Sequence, residues 1–558
     1  QKTAYEIRLS LVGSEMCIRD RFWRFLVDRE LLENVDLGTV CPGAGSPADC
    51  LANKTNALKT FVWLDETFNG GLMPFSSAGA PRTIGAEVYK ETVGNIAHAA
   101  TSTGQLQLAL PTEWRQLNFA HLPVGLLSEV YEAYAHRHDA NLAKEKSIHY
   151  TPRHIAEFMA REALVSLDDV DDPKVLDPAV GAGVFLVTVF RELFARSWRR
   201  LGQRPTRAGI RRILNKQLVG FDINENALRL SELALYLTAI ELDPEAHPRP
   251  LSRLRFDALW GRALVHVPEP LGSLAKVEDR FRSAFDLVIG NPPWTAEKKG
   301  ANAGAANKKA WLAETLPIVR ERLGAERAKK FSLPDANPDL PFVYRALEWA
   351  RPGGTIALVT HARWLFNQAK AQGRADLLES MHVTGILNCA GLRRSSVWPS
   401  VEAPFCLLFA QNERPPPGAA FQFVSPALEE SPPGKQVRLR VDWNDSRDVP
   451  VEEVLAKPWT LKARFRGTAM DEPVLEHLFR AGVPLGEYLR SLGVALRNGY
   501  QVGGAAGVQQ DSSHMHGWPS LEGEDPGFLV NVRTLGRFRR LSLIHISEPT
   551  RLRRISYA

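Results

Sequence analysis

The chain has 558 residues, 44% hydrophobic and 24% charged, which is enough for two to four domains with substantial cores. It has no apolar run long enough to span a membrane, so no membrane partner is expected, and its net charge of +6 permits nucleic-acid binding without requiring it. Five cysteines (Cys17, Cys41, Cys50, Cys389, Cys406) are too sparse for a disulfide framework and lack zinc-ligand spacing, which fits a reducing cytoplasm.

Residues 1–21 and 541–558 resemble translated sequencing-adapter sequence. They are expected to be artefacts, with the natural protein truncated at both ends, and they carry half of the net charge. Residues 22–145 read as a mainly helical region. Phe22 to Asn34 and Val124 to Ala135 place apolar residues at helical spacing, while 40–52 and 70–83 are Gly, Pro, Ser and Ala-rich loops. From 146 to 412, apolar strands alternate with helices. Strands are predicted at 174–177, 217–222, 285–290, 355–360 and 404–410, with Arg351-Pro352-Gly353-Gly354 as a turn before the fourth. That alternation implies a mostly parallel sheet covered on both faces. The Lys- and Ala-rich stretch 295–338 reads equally as a mobile loop or a solvated insertion. Residues 413–418 (ERPPPG) read as a linker, and 419–540 as a second, less regular α/β domain.

The strand 285–290 runs into Asn291-Pro292-Pro293-Trp294. Two prolines fix φ and remove two backbone donors, so nearby carbonyls have no competing partner. The Asn291 oxygen and a backbone carbonyl can then accept both hydrogens of one planar NH2 group, and Trp294 offers a face on which a base could stack. Two acceptors draw a delocalised lone pair toward sp3, which suggests methyl transfer to an amino nitrogen. The plain alternative is a strand followed by a Pro-rich turn.

Val175 to Leu186 reads as strand, turn and helix start, with Asp177 and Pro178 closing the strand and Gly181 and Gly183 letting the backbone approach a ligand. Asp222 ends the next strand, where a carboxylate can accept both hydroxyls of a ribose; it lies 39 residues after Gly183, farther than the usual ~20, which an added Arg-rich helix at 199–216 explains. Asp257 stands where a third strand would end and could meet an adenine amino group. In Tyr150-Thr151-Pro152, Thr151 reads as a helix N-cap with Pro152 at the first helical position; the functional alternative is a turn that covers one end of a cofactor.

These pieces, in this order, resemble the gamma-class adenine-specific DNA methyltransferases of restriction–modification and phage-defence systems. Phe68 to Leu72 and Leu126 to Glu132 also resemble the helical region that precedes the catalytic domain there. The resemblance implies a Rossmann-like S-adenosylmethionine-dependent methyltransferase domain at 146–412, a helical N-terminal region at 22–145, and a truncated mixed α/β target recognition domain at 419–540. It implies S-adenosylmethionine as cofactor, held by Tyr150, Thr151, Asp177, Pro178, Gly181, Gly183, Asp222 and Asp257. It places a target adenine, flipped from double-stranded DNA, against Asn291, Pro292, Pro293 and Trp294, with no metal. Restriction or defence-system subunits are implied as further partners. Leu492 to Tyr500 resembles the start of such recognition domains, and Arg533, Arg537, Arg539 and Arg540 could meet phosphates. Cytosine-N4, RNA or protein methylation, or an inactive DNA-binding subunit, are the alternatives.

Overall fold

A computed structural model of the chain describes residues 23, 25–29, 32, 37–67, 151–243, 257–268, 271–294, 301–333, 337–367, 371–393, 395–399, 401–429, 438–468 and 470–493, and four two-residue strands beyond them. Tyr150, the helix expected at 124–135, the segments 68–72 and 126–132, residues 1–21, and the side chains of Arg533, Arg537, Arg539 and Arg540 lie outside the described residues. The chain forms two compact units, one of 1–360, 376–386 and 407–419, the other of 361–375, 387–406 and 420–558.

In the first unit, helix α1 (Lys54–Thr67) precedes the sheet region. There follow α2 (Arg153–Val165), β1 (Val175–Asp177), α3 (Val184–Leu201), β2 (Leu218–Asp222), α4 (Glu225–Leu242), β3 (Leu264–His266) and β4 (Phe285–Gly290). Then come α5 (Ala301–Leu323), α6 (Asp339–Trp349), β5 (Ala350–His361), α7 (Ala371–Ser380), β6 (His382–Asn388) and β7 (Phe405–Gln411). The strands lie in the order β6-β7-β5-β4-β1-β2-β3. β3 pairs with β2, β2 with β1, β1 with β4 and β4 with β5, all parallel. The order reverses between β1 and β4, and their carboxyl ends therefore border a crevice. Every residue of β1 and all but Asp286 of β4 are buried, as expected for parallel strands covered on both faces. Helix α3 packs on both α2 and α4, and α6 packs on β4 and on α5. In α3, Phe185, Val189, Phe190, Leu193 and Phe194 are buried at helical spacing, and Gly202 ends the helix at φ +67°.

Three expectations need correction. The stretch 301–330 is helical: α5 buries Trp311, Thr315, Ile318 and Val319 along one stripe, and Arg345 of α6 binds Glu314 at 2.8 Å. Its alanines and lysines favour helix, and Trp311, Ile318 and Val319 supply an apolar core face. The third strand is Leu264–His266, after Asp257 rather than before it. The turn at Arg351 to Gly354 is a bulge inside β5: Phe285 pairs with Ala350 but Leu287 with Thr355, and Gly353 takes φ +72°. Asn412 closes this bulge. Its buried Nδ2 donates to the carbonyls of Leu347, Ala350 and Arg351 at 2.9, 2.6 and 3.2 Å. The β6 strand had no counterpart among the predicted strands.

In the second unit, β8 (Ala420–Val424) pairs antiparallel with β11 (Ser446–Pro450), and β9 (Ala427–Glu429) with β10 (Arg438–Arg440). Segments 361–375 and 387–406 join this unit although the sequence places them in the catalytic region. Buried Arg374 donates to the carbonyls of Trp364 and Leu365 at 3.1 Å and of Pro458 at 2.7 Å. Phe366 stacks on Phe465, and Asn388 bonds Ser425 at 3.0 Å. Among the described residues no helix is long and apolar enough to cross a membrane.

Asn412→Ala leaves three buried carbonyls without their donor. We expect it to cost ~2–4 kcal/mol in urea unfolding. A loss below ~1 kcal/mol would mean that another group holds the bulge.

Candidate active site

The site forms at the carboxyl ends of β1, β2 and β4. Leu176 faces Val288 across the ladder, so Asp177 and Gly290 come to the same edge. A Cβ on Gly290 would sit 2.5 Å from Asp177 Oδ1 and 3.2 Å from Pro178 Cδ. No other residue fits there without moving the acid. Asp177 is fully buried. Its Oδ1 accepts the Ala179 N–H at 3.1 Å, and its Oδ2 is buried without a hydrogen-bond partner among the described residues. Burial pushes its pKa up to about 8, and the nearby Asp222 carboxylate adds to the rise.

The turn after β1 is tied to β2. Val180 N–H donates to Phe221 O at 2.9 Å, and Gly181 N–H to Asp222 Oδ2 at 2.8 Å. Gly181 and Gly183 take φ +52° and +89°, the left-handed conformations that glycine allows. Gly183 also lets α4 approach, because a Cβ there would lie 2.6 Å from Ser231 Oγ. The Pro178 carbonyl accepts from buried Ser273 Oγ at 2.5 Å. Ser273 carried no sequence signal, since it lies far along the chain in an unremarkable loop.

Asp222 is half-buried. Its Oδ1 accepts the Asn224 N–H at 2.8 Å. Desolvation raises its pKa, against the pull of the Asn224 and Gly181 N–H groups. Asp257 does not join this cluster. It accepts from Asn215 Nδ2 at 3.0 Å, beside the amino end of β2, and is exposed. At the end of β3, beside Asp222, stands His266, whose Nε2 lies 3.1 Å from Ile223 O.

Thr151 is not an N-cap by its side chain: the residue flanking α2 is Pro152, and no side chain caps the helix. The Thr151 hydroxyl instead accepts from Asn291 Nδ2 at 2.9 Å. Asn291 Oδ1 in turn accepts from Trp294 Nε1 at 2.7 Å. Trp294 is 1% exposed, so its ring is packed rather than offered as an open face. Pro292 is buried and Pro293 half-buried beside it. Thr151, Asp177, Pro178, Gly181, Gly183, Asp222 and Asn291 to Trp294 are thus brought together.

The donor set suits a small ligand with a cationic end and a diol. A buried, unpaired carboxylate oxygen favours an ammonium group, and a strand-end carboxylate with exposed edge favours paired hydroxyls.

Residues 124–430, more than half of the chain, match the model of the N-6 DNA Methylase family. The chain belongs to that family. The matched span contains every residue just described. A type II methyltransferase, M.XhoI of Xanthomonas vasicola, is 24% identical over 242 residues, covering 43% of this chain and 38% of that protein. A putative type II restriction enzyme and methyltransferase of Methanocaldococcus jannaschii is 36% identical over 110 residues, covering 18% of this chain and 9% of that one. The chain therefore spans less than half the length of these curated relatives. Among solved structures, the type IIL restriction–modification enzyme MmeI in complex with DNA aligns with TM-score 0.46 at 14% identity, covering 78% of this chain and 59% of that one. A type I restriction–modification methyltransferase subunit from Streptococcus thermophilus aligns with TM-score 0.43 at 14% identity, covering 83% and 98%.

The buried acid makes stability fall with pH. Asp177 holds a proton in the folded state up to about pH 8 that the unfolded chain releases near pH 4. Its contribution is full below pH 4 and is lost as pH rises to about 8. Asp177→Asn should therefore gain in melting temperature over wild type progressively from pH 5 to 8, then level off. Parallel melting curves across that range would show that Asp177 is ionised throughout.

Proposed function

We propose that this chain carries the catalytic part of a gamma-class, adenine-specific DNA methyltransferase acting in the cytoplasm within restriction–modification or phage defence. The observation that carries the reading is the Asn291 amide, which leaves β4 beside Asp177 with one end on Thr151 and the other on Trp294.

S-adenosylmethionine, when bound, supplies an electrophilic methyl carbon. Asp177 Oδ2 would meet its ammonium group, Asp222 would take the ribose hydroxyls, and the Gly181–Gly183 turn would line the cofactor. Binding a cation at Asp177 ionises that acid, so a proton is released below about pH 8. Asn291 Oδ1, which can accept two hydrogen bonds, takes one hydrogen of an adenine N6 amino group, and a carbonyl of the Pro292–Pro293 segment takes the other. The amine lone pair is freed from the ring as the two acceptors draw on its hydrogens. Positioning contributes most of the acceleration. The adenine has to leave the duplex to reach this crevice. Residues 419–540 are read as belonging to a target recognition domain, with further restriction or defence subunits as partners.

Expression in a host lacking DNA methyltransferases, followed by modification-sensitive long-read sequencing, tests the reading. Methylated adenine in one short motif is expected. Methylated cytosine instead would move the reaction to N4. Asn291→Ala should lower turnover roughly 100-fold or more while leaving cofactor affinity nearly unchanged. Wild-type turnover in that variant would remove Asn291 from the chemistry. Asp222→Ala should weaken cofactor binding ~10–100-fold by calorimetry; an unchanged dissociation constant would refute the ribose contact.

A further inference from the structure

We propose that Thr151 is a positioning residue for the methyl-transfer step, holding the Asn291 amide with its oxygen, rather than its nitrogen, toward the target amine. This rests on the reading of Asn291 as acceptor of that amine. By sequence, Thr151 was a helix cap or a cofactor contact. In the structure it caps nothing with its side chain, is 4% exposed, and receives Asn291 Nδ2 at 2.9 Å.

The two ends of a carboxamide are nearly alike in size and opposite in function. If the Asn291 amide turned over, its NH2 would face the amine that is to be methylated, donor against donor. Two neighbours prevent this. The Trp294 indole N–H can only donate, and at 2.7 Å it requires an oxygen opposite. The Thr151 hydroxyl receives the NH2 at the other end and holds the plane of the amide. Both neighbours are buried, so water competes weakly for either bond. Thr151 is placed by Pro152, which fixes its own φ at −56°, and by α2, which packs on β4, the strand that delivers Asn291. The bond thus joins two segments 140 residues apart in sequence.

The test compares Thr151→Val, which keeps the shape and removes the hydroxyl, with Thr151→Ser, which restores the hydroxyl. Turnover is measured at saturating S-adenosylmethionine on DNA containing the motif found by sequencing, and cofactor affinity by calorimetry with S-adenosylmethionine. The expected result is a kcat loss of roughly 10–100-fold in Thr151→Val, a cofactor dissociation constant within ~2-fold of wild type, and recovery of most of the kcat in Thr151→Ser. A weakened cofactor affinity with kcat intact at saturation would make Thr151 a cofactor contact and overturn the proposal, as would no change in either quantity. Unfolding midpoints of Thr151→Val, Asn291→Ala and the double variant give a readout independent of activity. Shifts smaller in the double variant than the sum of the singles support the bond, and additive shifts overturn it. If wild-type protein binds cofactor yet methylates no adenine, the functional reading fails, while the midpoints still decide whether Thr151 holds Asn291.

Discussion

The site depends on how closely β1 and β4 run past each other where the sheet reverses direction. At that edge the chain puts an acid on one strand and a bare backbone on the other. Gly290 has no Cβ, and the space that a Cβ would fill holds the Asp177 carboxylate, 2.5 Å away. Pro178 closes the same contact from the β1 side, 3.2 Å from that point. Because the two strands are in register, closing this gap also fixes where Asn291 leaves β4 relative to the turn after β1. The Asp177 turn and the Asn291 segment are thereby brought to one edge of the sheet.

The electrostatics of the crevice follow from that closeness. Asp177 and Asp222 end neighbouring strands, and burial raises both, with the Asp222 carboxylate adding to the rise at Asp177. Elsewhere in the unit, some charged side chains have an opposite charge beside them. Arg345 lies on Glu314, and Asp286 accepts from Arg351 at 2.5 Å and from the Lys174 N–H at 2.8 Å. Asp222 is partly compensated by two backbone N–H groups. Asp177 has one such bond and one buried oxygen with no partner among the described residues. An uncompensated buried acid is an unfavourable feature in the free protein. It turns favourable when a cation arrives, because the ligand then restores the charge state that burial opposed. The overall charge of +6 says little about this pocket, whose local character is acidic.

Five of the strands were legible because parallel, doubly covered strands read as short apolar runs, and β1, β2, β4 and β7 fall within a residue or two of where the pattern places them. β3 and β6 were not. β3 is three residues long, and β6 carries His382, Thr384 and Gly385 among its apolar positions. Misreading β3 displaced Asp257: it precedes the strand, and so falls by the opposite end of the sheet from Asp222. The α5 helix was hidden because its buried stripe, Trp311 to Val319, follows an Ala- and Lys-rich first half and carries Pro317 within it. In the site, motif residues at strand ends were legible, since strand order alone gathers them. The contacts of Thr151, Ser273 and Ser231 were not. They arise between segments far apart in sequence, and nothing local distinguishes a threonine that caps a helix from one that meets an amide across the fold.

Trp294 illustrates how one residue type can satisfy two requirements that sequence reasoning treats separately. A large ring at this position suggests stacking, and any aromatic residue would meet that need. The structure adds a second requirement. Of the Thr151 and Trp294 groups bonded to the Asn291 amide, the threonine hydroxyl can donate or accept and therefore cannot by itself tell oxygen from nitrogen. The indole N–H only donates, and it decides which end of the amide is which. A phenylalanine at 294 would keep the ring and lose the decision. A buried tryptophan with its N–H on the Asn291 oxygen thus contributes orientation as well as surface, and the hydroxyl of Thr151 then holds the orientation that the indole selects.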